Sequence, residues 1–179
     1  MQLNKIIYKK DNLDFPPKTF EREAVRGVIL KDNELLMLYS QKYGDYAFPG
    51  GGVEKGETRF QALKREIIEE CGIIISTDID SLGKIIEYNK APVEGYDILK
   101  MTSYYYLTDI KEKLGYSDLE DYELELELET RWVDINKAIA NNIEIMESYK
   151  ETPFWALREV KALQYIKDNI IIDREGEDN

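Results

Sequence analysis

Residues 51–73 of this 179-residue chain read GGVEKGETRFQALKREIIEECGI, a glycine-rich turn followed by a helical pattern with three glutamates. Glu66, Glu69 and Glu70 occupy helical positions i, i+3 and i+4, so their carboxylates share one helix face. Carboxylates this close repel one another unless a cation lies between them. A hard divalent ion such as Mg²⁺ prefers oxygen ligands, and phosphates often complete its coordination. The segment therefore predicts a metal-binding helix.

The sequence marks both ends of this helix. Thr58 and Gln61 have the spacing of a capping box, and Gly72 has the position of a C-terminal cap. We expect an apolar stripe at helical spacing to pack on the core, and its members are Phe60, Leu63 and Ile67. The glutamates are then expected on a different face, toward solvent or a cleft.

The rest of the chain predicts strands and helices that interleave without a regular βαβ repeat, which favours a mixed sheet between helices. The expected strands are residues 6–8, 24–31, 34–40, 82–89, 98–108 and 122–133. Asp32 and Asn33 form a turn signal that predicts a hairpin between the second and third of these. Helices are expected over residues 135–147, capped by Asp134, and 153–167. We divide the chain into an N-terminal extension (1–20), one domain (21–172) and a polar tail (173–179).

Composition excludes several kinds of chemistry. The chain has no histidine, which rules out imidazole catalysis, and its single cysteine, Cys71, rules out an internal disulfide. A net charge of −12 argues against a nucleic acid polymer as partner, so a metal ion would have to supply positive charge to a phosphate ligand. The sequence has neither an apolar run of the roughly 18 residues that span a bilayer nor a secretory signal. We expect a soluble cytoplasmic protein with no membrane partner.

The spacing G-x5-E-x7-R-E-I-x-E-E-x-G-I is met at every defining position. Those positions are Gly51, Glu57, Arg65, Glu66, Ile67, Glu69, Glu70, Gly72 and Ile73. This segment resembles the signature box of the Nudix hydrolases. The resemblance implies an α/β/α sandwich with a mixed β-sheet between helices. It also implies Mg²⁺- or Mn²⁺-dependent hydrolysis of a nucleoside diphosphate linked to another moiety.

Divalent ions would neutralise the charge that develops during diphosphate hydrolysis and lower the pKa of a bound water. Glu66, Glu69 and Glu70 are the expected metal ligands and catalytic residues, and a backbone carbonyl at Gly50 or Gly51 could add another ligand. One glutamate could instead be the general base, and the resemblance leaves open whether that residue lies in the box or outside it.

The resemblance implies that Glu57 is structural or an outer ligand and that Arg65, also counted as catalytic, orients carboxylates through bidentate hydrogen bonds. It also implies an acidic ligand shortly before Arg131. We prefer Glu127 for this role, with Glu125 and Glu129 as alternatives. The competing interpretation is that these glutamates are solvent-facing residues of an ordinary strand.

Substrate contacts are less well determined. Arg26 and Lys42, together with Arg22, could bind phosphates, although each could equally be a surface charge. Tyr46 and Phe48 could stack on a base, as could tyrosines 104–106, and the alternative for all of them is packing. The helix with Trp155 could wall the pocket, form a dimer interface or pack in the core.

The expected partner is a small nucleotide substrate, and a homodimer is compatible with this kind of fold. Nothing in the residues selects between triphosphates, ADP-ribose, dinucleoside polyphosphates and sugar nucleotides. The alternative function is a nucleotide-sensing or regulatory module of the same fold without turnover. Such modules tend to lose box carboxylates, and this chain keeps all of them.

Overall fold

Two four-stranded sheets form the framework of the computed structural model, which describes residues 3–8, 18–114, 125–148 and 155–171. The first sheet has the order β1-β6-β7-β2. Its strands are β1 (Leu3–Tyr8), β2 (Thr19–Val28), β6 (Ile73–Lys90) and β7 (Ile98–Lys113). The two outer strands pair in parallel with their neighbours, whereas β6 and β7 are antiparallel. The predicted mixed sheet is therefore confirmed.

The second sheet is antiparallel and includes a short strand, residues 46–47, that the sequence did not predict. Its strands are β3 (Leu30–Lys31), β4 (Glu34–Ser40), β5 (Tyr46–Ala47) and β8 (Leu128–Asp134), with β4 at the centre. The predicted hairpin at Asp32 and Asn33 is confined to β3 and the start of β4. The prediction that residues 24–28 belong to it was wrong, because these residues pair with β7 in the first sheet.

Three helices are present in the described residues: α1 (Arg59–Cys71), α2 (Ile135–Ser148) and α3 (Ala156–Ile166), the last continued by a π-helical turn (Lys167–Ile171). Both predicted caps of α1 are confirmed, since Thr58 and Gln61 form the capping box and Gly72 is left-handed with φ 61°. Asp134 caps α2 by accepting the backbone N–H groups of Asn136 and Lys137. None of the described helices is long and apolar enough to cross a membrane. The expected tail, residues 173–179, lies outside the described residues.

The core has two halves on opposite faces of β4. Leu36 packs in a cluster with Leu63 and Ile67 of α1. Its neighbours Leu35 and Met37 pack in a second cluster with residues of α2 and α3. Because successive strand residues point to opposite faces, helices cover both sides of the sheets. The predicted α/β/α sandwich is confirmed.

The predicted apolar stripe of α1 is only partly correct. Leu63 and Ile67 are fully buried, but Phe60 is 39% exposed. Phe60 lies in the first turn of the helix, where it borders a shallow groove with Thr77 and Tyr106. The spacing placed Phe60 on the correct side of the helix but could not show how far the sheet beneath extends.

Candidate active site

A glycine turn between β5 and α1 lies directly against β2. The backbone N–H of Gly27 donates to the carbonyl of Pro49 at 2.8 Å, and that of Val25 donates to the carbonyl of Gly51 at 2.9 Å. Gly50 has φ 132°, and a Cβ on it would lie 2.1 Å from the carbonyl oxygen of Val25. Only glycine can therefore occupy this position, which fixes the turn at the edge of the sheet.

Two glutamates of α1 face this turn. The backbone N–H of Gly50 donates to Glu70 Oε2 at 2.6 Å. A Cβ on Gly51 would lie 2.5 Å from the carboxylate of Glu66, so the absence of a side chain lets this carboxylate approach the backbone. Glu66 and Glu70 are only 7% and 5% exposed. Burial raises the pKa of Glu66, and hydrogen bonding from Arg65 partly opposes this rise.

Arg65 links the other carboxylates of the helix. Its guanidinium donates to both oxygens of Glu57 at 3.1 Å, and its Nη1 donates to Glu66 at 2.8 Å and Glu69 at 3.1 Å. Hydrogen bonds from Arg65 hold the pKa of Glu57 below its ordinary value, and these same bonds raise the pKa of Arg65. The guanidinium thus lies between carboxylates that would otherwise repel one another. These contacts are compatible with the orienting role that the resemblance implies for Arg65, which stays a prediction.

A cavity of about 520 Å³ opens beside the turn and the helix. Its charged lining residues are Arg22, Arg26, Asp45, Glu54, Arg65, Glu66, Glu70 and Arg158. Its apolar lining residues include Leu38, Ala47, Phe48, Met101, Leu126, Leu128 and Trp155. The cavity therefore offers both paired charges and an apolar wall to a ligand.

The residues predicted to contact phosphate differ in whether they line the cavity. Arg22 and Arg26 line the cavity, and Arg26 Nη1 donates to the carbonyl oxygen of Gly50. Lys42 is outside the cavity lining and lies 5.6 Å from the ring centroid of Tyr43. A cationic contact to phosphate is thus available from the two arginines but not from this lysine.

The aromatic residues beside the turn pack against other rings. Phe48 lines the cavity but is fully buried, and its ring meets that of Tyr105 edge-on at 5.7 Å. Tyr46 is outside the lining, with its ring 4.9 Å from that of Tyr39. Tyr104 lies under the guanidinium of Arg59 at 3.5 Å. These contacts favour the packing interpretation of the tyrosines and of Phe48.

The acidic segment before β8 contributes its apolar residues to the cavity. Leu126 and Leu128 are in the lining, whereas Glu127 between them is exposed and has a left-handed backbone with φ 50°. Glu129 accepts hydrogen bonds from Gln41 and Arg131, and Glu125 is exposed. Predicted strand residues 122–124 lie outside the described residues. The structure does not bring these glutamates to Glu66 and Glu70.

Sequence reasoning missed a buried ion cluster at the inner side of the cavity. Arg158 donates to Glu87 at 2.9 Å and to Glu159 at 2.6 Å, and all three side chains are nearly inaccessible. The second carboxylate oxygen of Glu159 accepts the backbone N–H of Phe48 at 3.1 Å. Adjacent charges in a helix resemble surface residues, and no spacing signal connects Arg158 with a strand 71 residues earlier.

Asp45 and Trp155 were not connected by the sequence either. Trp155 Nε1 donates to Asp45 Oδ2 at 2.7 Å, and both residues line the cavity. Asp45 is only 3% exposed, and burial raises the pKa of its carboxyl group. The polar Gln41–Asp45 loop gave no sign that its last residue would be buried.

The carboxylates fit a divalent cation by their chemistry. Glu66 and Glu70 offer oxygen ligands beside the turn, and a cation would offset the cost of burying their charge. Within residues 3–8, 18–114, 125–148 and 155–171, however, no three acidic side chains converge closely enough to form a complete site. Glu69 points its Oε2 at Arg65, and the carbonyl of Gly51 accepts the N–H of Val25.

A family model with the description NUDIX domain matches residues 21–153. The ADP-ribose pyrophosphatase of Methanocaldococcus jannaschii is 42% identical over 73 residues, which are 39% of this chain and 43% of that protein. The RNA pyrophosphohydrolase of Psychromonas ingrahamii is 39% identical over 49 residues, which are 26% of this chain and 27% of that protein. Each match thus spans less than half of the relative's length.

Solved structures share the fold at low sequence identity. A NUDIX hydrolase from Nitrosomonas europaea has a TM-score of 0.54 and 18% identity, over 80% of this chain and 90% of that one. A MutT structure described for Aliivibrio salmonicida and Vibrio cholerae has a TM-score of 0.50 and 23% identity, over 80% of this chain and 97% of that one. These likenesses concern the fold alone.

Proposed function

This chain belongs to the Nudix family, and we propose that it is a hydrolase that cleaves a diphosphate linkage in a nucleoside diphosphate derivative with the help of Mg²⁺ or Mn²⁺. The observation that carries the proposal is the convergence of two buried carboxylates, Glu66 and Glu70, on a glycine turn at the wall of a 520 Å³ cavity. A cavity of this volume can hold a small nucleotide, and the two carboxylates offer oxygen ligands to a divalent ion.

In this proposal Glu66 and Glu70 hold the divalent ion. When bound, the ion would neutralise charge on the diphosphate and make a water molecule more acidic. The chain's own contribution is to position the groups around it. Gly50 donates its N–H to Glu70, and Arg65 donates to Glu66, so neither carboxylate is free to rotate.

Other residues have narrower proposed roles. Arg22 and Arg26 line the cavity and are the proposed phosphate contacts. Glu69 stays a proposed ligand because Arg65 holds it next to Glu66. The carbonyl of Gly51 is a proposed further ligand through its second lone pair, since the N–H of Val25 uses the first. A ligand role for Glu127 stays a prediction, and its exposed position outside the cavity lining gives it less support than Glu66 and Glu70 have.

ADP-ribose is the first substrate that we propose to test. The relative with that activity in its name matches over 73 residues, whereas the RNA pyrophosphohydrolase matches over 49. A net charge of −12 also disfavours RNA, because polyanions bind mainly through positive charge. Water would add across the P–O–P linkage and give AMP and ribose 5-phosphate. The homodimer and the cytoplasmic location stay predictions.

The experiment incubates the purified chain with ADP-ribose, ATP, a dinucleoside polyphosphate and a 5′-triphosphorylated RNA in parallel. Each substrate is tested with Mg²⁺, with Mn²⁺ and with an excess of chelator, and monophosphate and pyrophosphate are measured separately. We expect AMP from ADP-ribose only when a divalent ion is present. Hydrolysis that is unaffected by the chelator would contradict the metal role. Binding of ADP-ribose without turnover of any substrate would favour the alternative function, a nucleotide-sensing module of the same fold.

A further inference from the structure

Two residues of the cavity lining have no part in the proposed hydrolysis. They are Asp45, which comes just before β5, and Trp155, which comes just before α3. The Trp155 ring is held in place on two sides, by the hydrogen bond from its Nε1 to Asp45 and by an edge-on contact with Tyr43 at 5.6 Å. Leucines 38, 126 and 128 line the same cavity. A fixed aromatic face thus lies next to apolar walls and one buried carboxylate.

The acidic groups around Asp45 and Trp155 would repel a phosphate. The buried Asp45 carboxylate lies close enough to the carboxylate of Glu159 for the two to repel each other. Arg158 also lines the cavity, but Glu87 and Glu159 engage all three nitrogens of its guanidinium. Positive charge that is not engaged in such a cluster comes from Arg22 and Arg26, near the glycine turn. The phosphates of a ligand are therefore favoured at the turn, and an uncharged part that donates hydrogen bonds is favoured at Asp45.

We infer that Asp45 and Trp155 form a subsite for a nucleobase that bears an amino group. The indole covers one face of the base, and the Asp45 carboxylate accepts a hydrogen bond from the amino group. Aromatic stacking and a charged hydrogen bond are two independent contributions, so both the ring and the amino group are recognised. This inference rests on the proposed nucleotide substrate but not on its hydrolysis. Together with the proposed ADP-ribose substrate, it makes adenine nucleotides the ligand class to test first.

The first test compares three ligands on the unaltered protein by calorimetry in the presence of Mg²⁺. AMP carries the amino group, purine riboside 5′-monophosphate lacks only that group, and ribose 5-phosphate lacks the base. We expect AMP to bind roughly tenfold or more tightly than purine riboside 5′-monophosphate, because a hydrogen bond to a charged acceptor is lost. We expect ribose 5-phosphate to bind weakest. Equal affinities of AMP and purine riboside 5′-monophosphate, or of AMP and ribose 5-phosphate, would overturn the inference.

A substitution of nearly equal size tests Asp45 directly. In Asp45→Asn the side-chain oxygen can still accept the hydrogen bond of Trp155, but the amide group offers a donor to the ligand. We expect the preference for AMP over purine riboside 5′-monophosphate to fall to within about twofold. The exposed Asp109→Asn on β7 is the matched control and should keep the preference of the parent. A full preference in folded Asp45→Asn would overturn the assignment of this residue.

Tryptophan fluorescence tests the aromatic half of the subsite. The chain has two tryptophans, and Trp132 packs against the core cluster beneath α1. We expect AMP to quench the emission of the parent and of Trp132→Phe but not of Trp155→Phe. Quenching that survives in Trp155→Phe would place the base elsewhere.

The outcomes separate this inference from the proposed function. If no diphosphate compound is hydrolysed but AMP binding depends on the amino group and on Asp45, the subsite stands and the hydrolase proposal fails. If ADP-ribose is hydrolysed but AMP binds no better than purine riboside 5′-monophosphate, the hydrolase stands and the subsite fails.

Discussion

Two arginine–carboxylate clusters each place their arginine in the lining of the same cavity, and they differ in how they are built. The box cluster consists of Arg65 with Glu57, Glu66 and Glu69. The inner cluster consists of Arg158 with Glu87 and Glu159. The Arg65 side chain is 25% exposed, whereas that of Arg158 is 5% exposed and both of its partners are fully buried. The same pair of chemical groups therefore occurs once partly exposed and once buried.

The two clusters also connect different parts of the chain. The box cluster lies within thirteen consecutive residues, 57–69, and ties one helix to the turn that precedes it. The inner cluster joins α3 to β6 of the first sheet, and Glu159 extends it to the backbone of Phe48 at the start of the glycine turn. Under the proposed function, the box cluster arranges the metal ligands, while the inner cluster holds together the elements that carry them.

Arg158→Met should therefore have the largest effect on stability. It leaves two buried carboxylates without their cation, and loss of one partner from a buried ion pair typically costs about 3–5 kcal/mol. We expect the free energy of unfolding, measured with urea near neutral pH, to fall by about that amount. Lys161→Met, on an exposed position of the same helix, is the control and should be close to the parent. A loss below about 1 kcal/mol in Arg158→Met would mean that the inner cluster is not sealed from water.

Glu70→Gln should lower the activity and leave the stability nearly unchanged. Glutamine keeps an oxygen that can accept the N–H of Gly50, so the fold should be retained, but the negative charge is lost. We expect kcat for ADP-ribose to fall roughly 10²- to 10³-fold, in the range found for loss of one electrostatic contact in an active site. The free energy of unfolding should stay near that of the parent. Turnover as fast as that of the exposed control Glu112→Gln would contradict the role of Glu70.

The contrast between the clusters also explains what could be predicted from the sequence. The box cluster and the helix caps depend on residues that are near in sequence, so the cap spacing and the resemblance of the 51–73 segment could indicate them. Thr58, Gln61 and Gly72 are found in the predicted cap arrangement, and Arg65 contacts carboxylates one, four and eight positions away. Helical periodicity predicts the contact of Arg65 with Glu69 at i+4. The contacts with Glu57, which precedes the helix, and with Glu66 at i+1 do not follow from it.

The parts that the sequence did not predict depend on pairing between distant segments. The inner cluster requires β6 and α3 to meet, and the Asp45–Trp155 bond spans 110 positions. The pairing of β2 with β7 is equally non-local, which is why residues 24–28 were wrongly assigned to a hairpin. Alternation and turn signals identify a strand but not its partner. Likewise, the acidic residues before β8 showed a strand-like pattern that could not reveal where Glu127 would point.

Arg65→Met should affect stability less than Arg158→Met does. Two of its carboxylate partners, Glu57 and Glu69, are partly exposed, so water can solvate them when the guanidinium is removed, and we expect a loss of roughly 1–2 kcal/mol. Activity on ADP-ribose should fall more clearly, because Glu66 and Glu69 lose the donor that holds them. Urea unfolding and steady-state kinetics on the same preparation measure both, with the neighbouring Lys64→Met as control. A stability loss equal to that of Arg158→Met would remove the distinction between the clusters.

The smallest expected effect is the response of the box cluster to pH. Hydrogen bonds from Arg65 hold the pKa of folded Glu57 below its ordinary value of 4.5. A carboxyl group whose pKa is lower in the folded chain stabilises the fold above the unfolded pKa, and this contribution disappears as pH falls through the folded pKa. The stability difference between the parent and Glu57→Gln should thus be largest near neutral pH and shrink in acid. Urea unfolding in chelator between about pH 3 and pH 7 measures this difference. A difference that does not change with pH would mean that Glu57 contributes packing rather than charge to the box cluster.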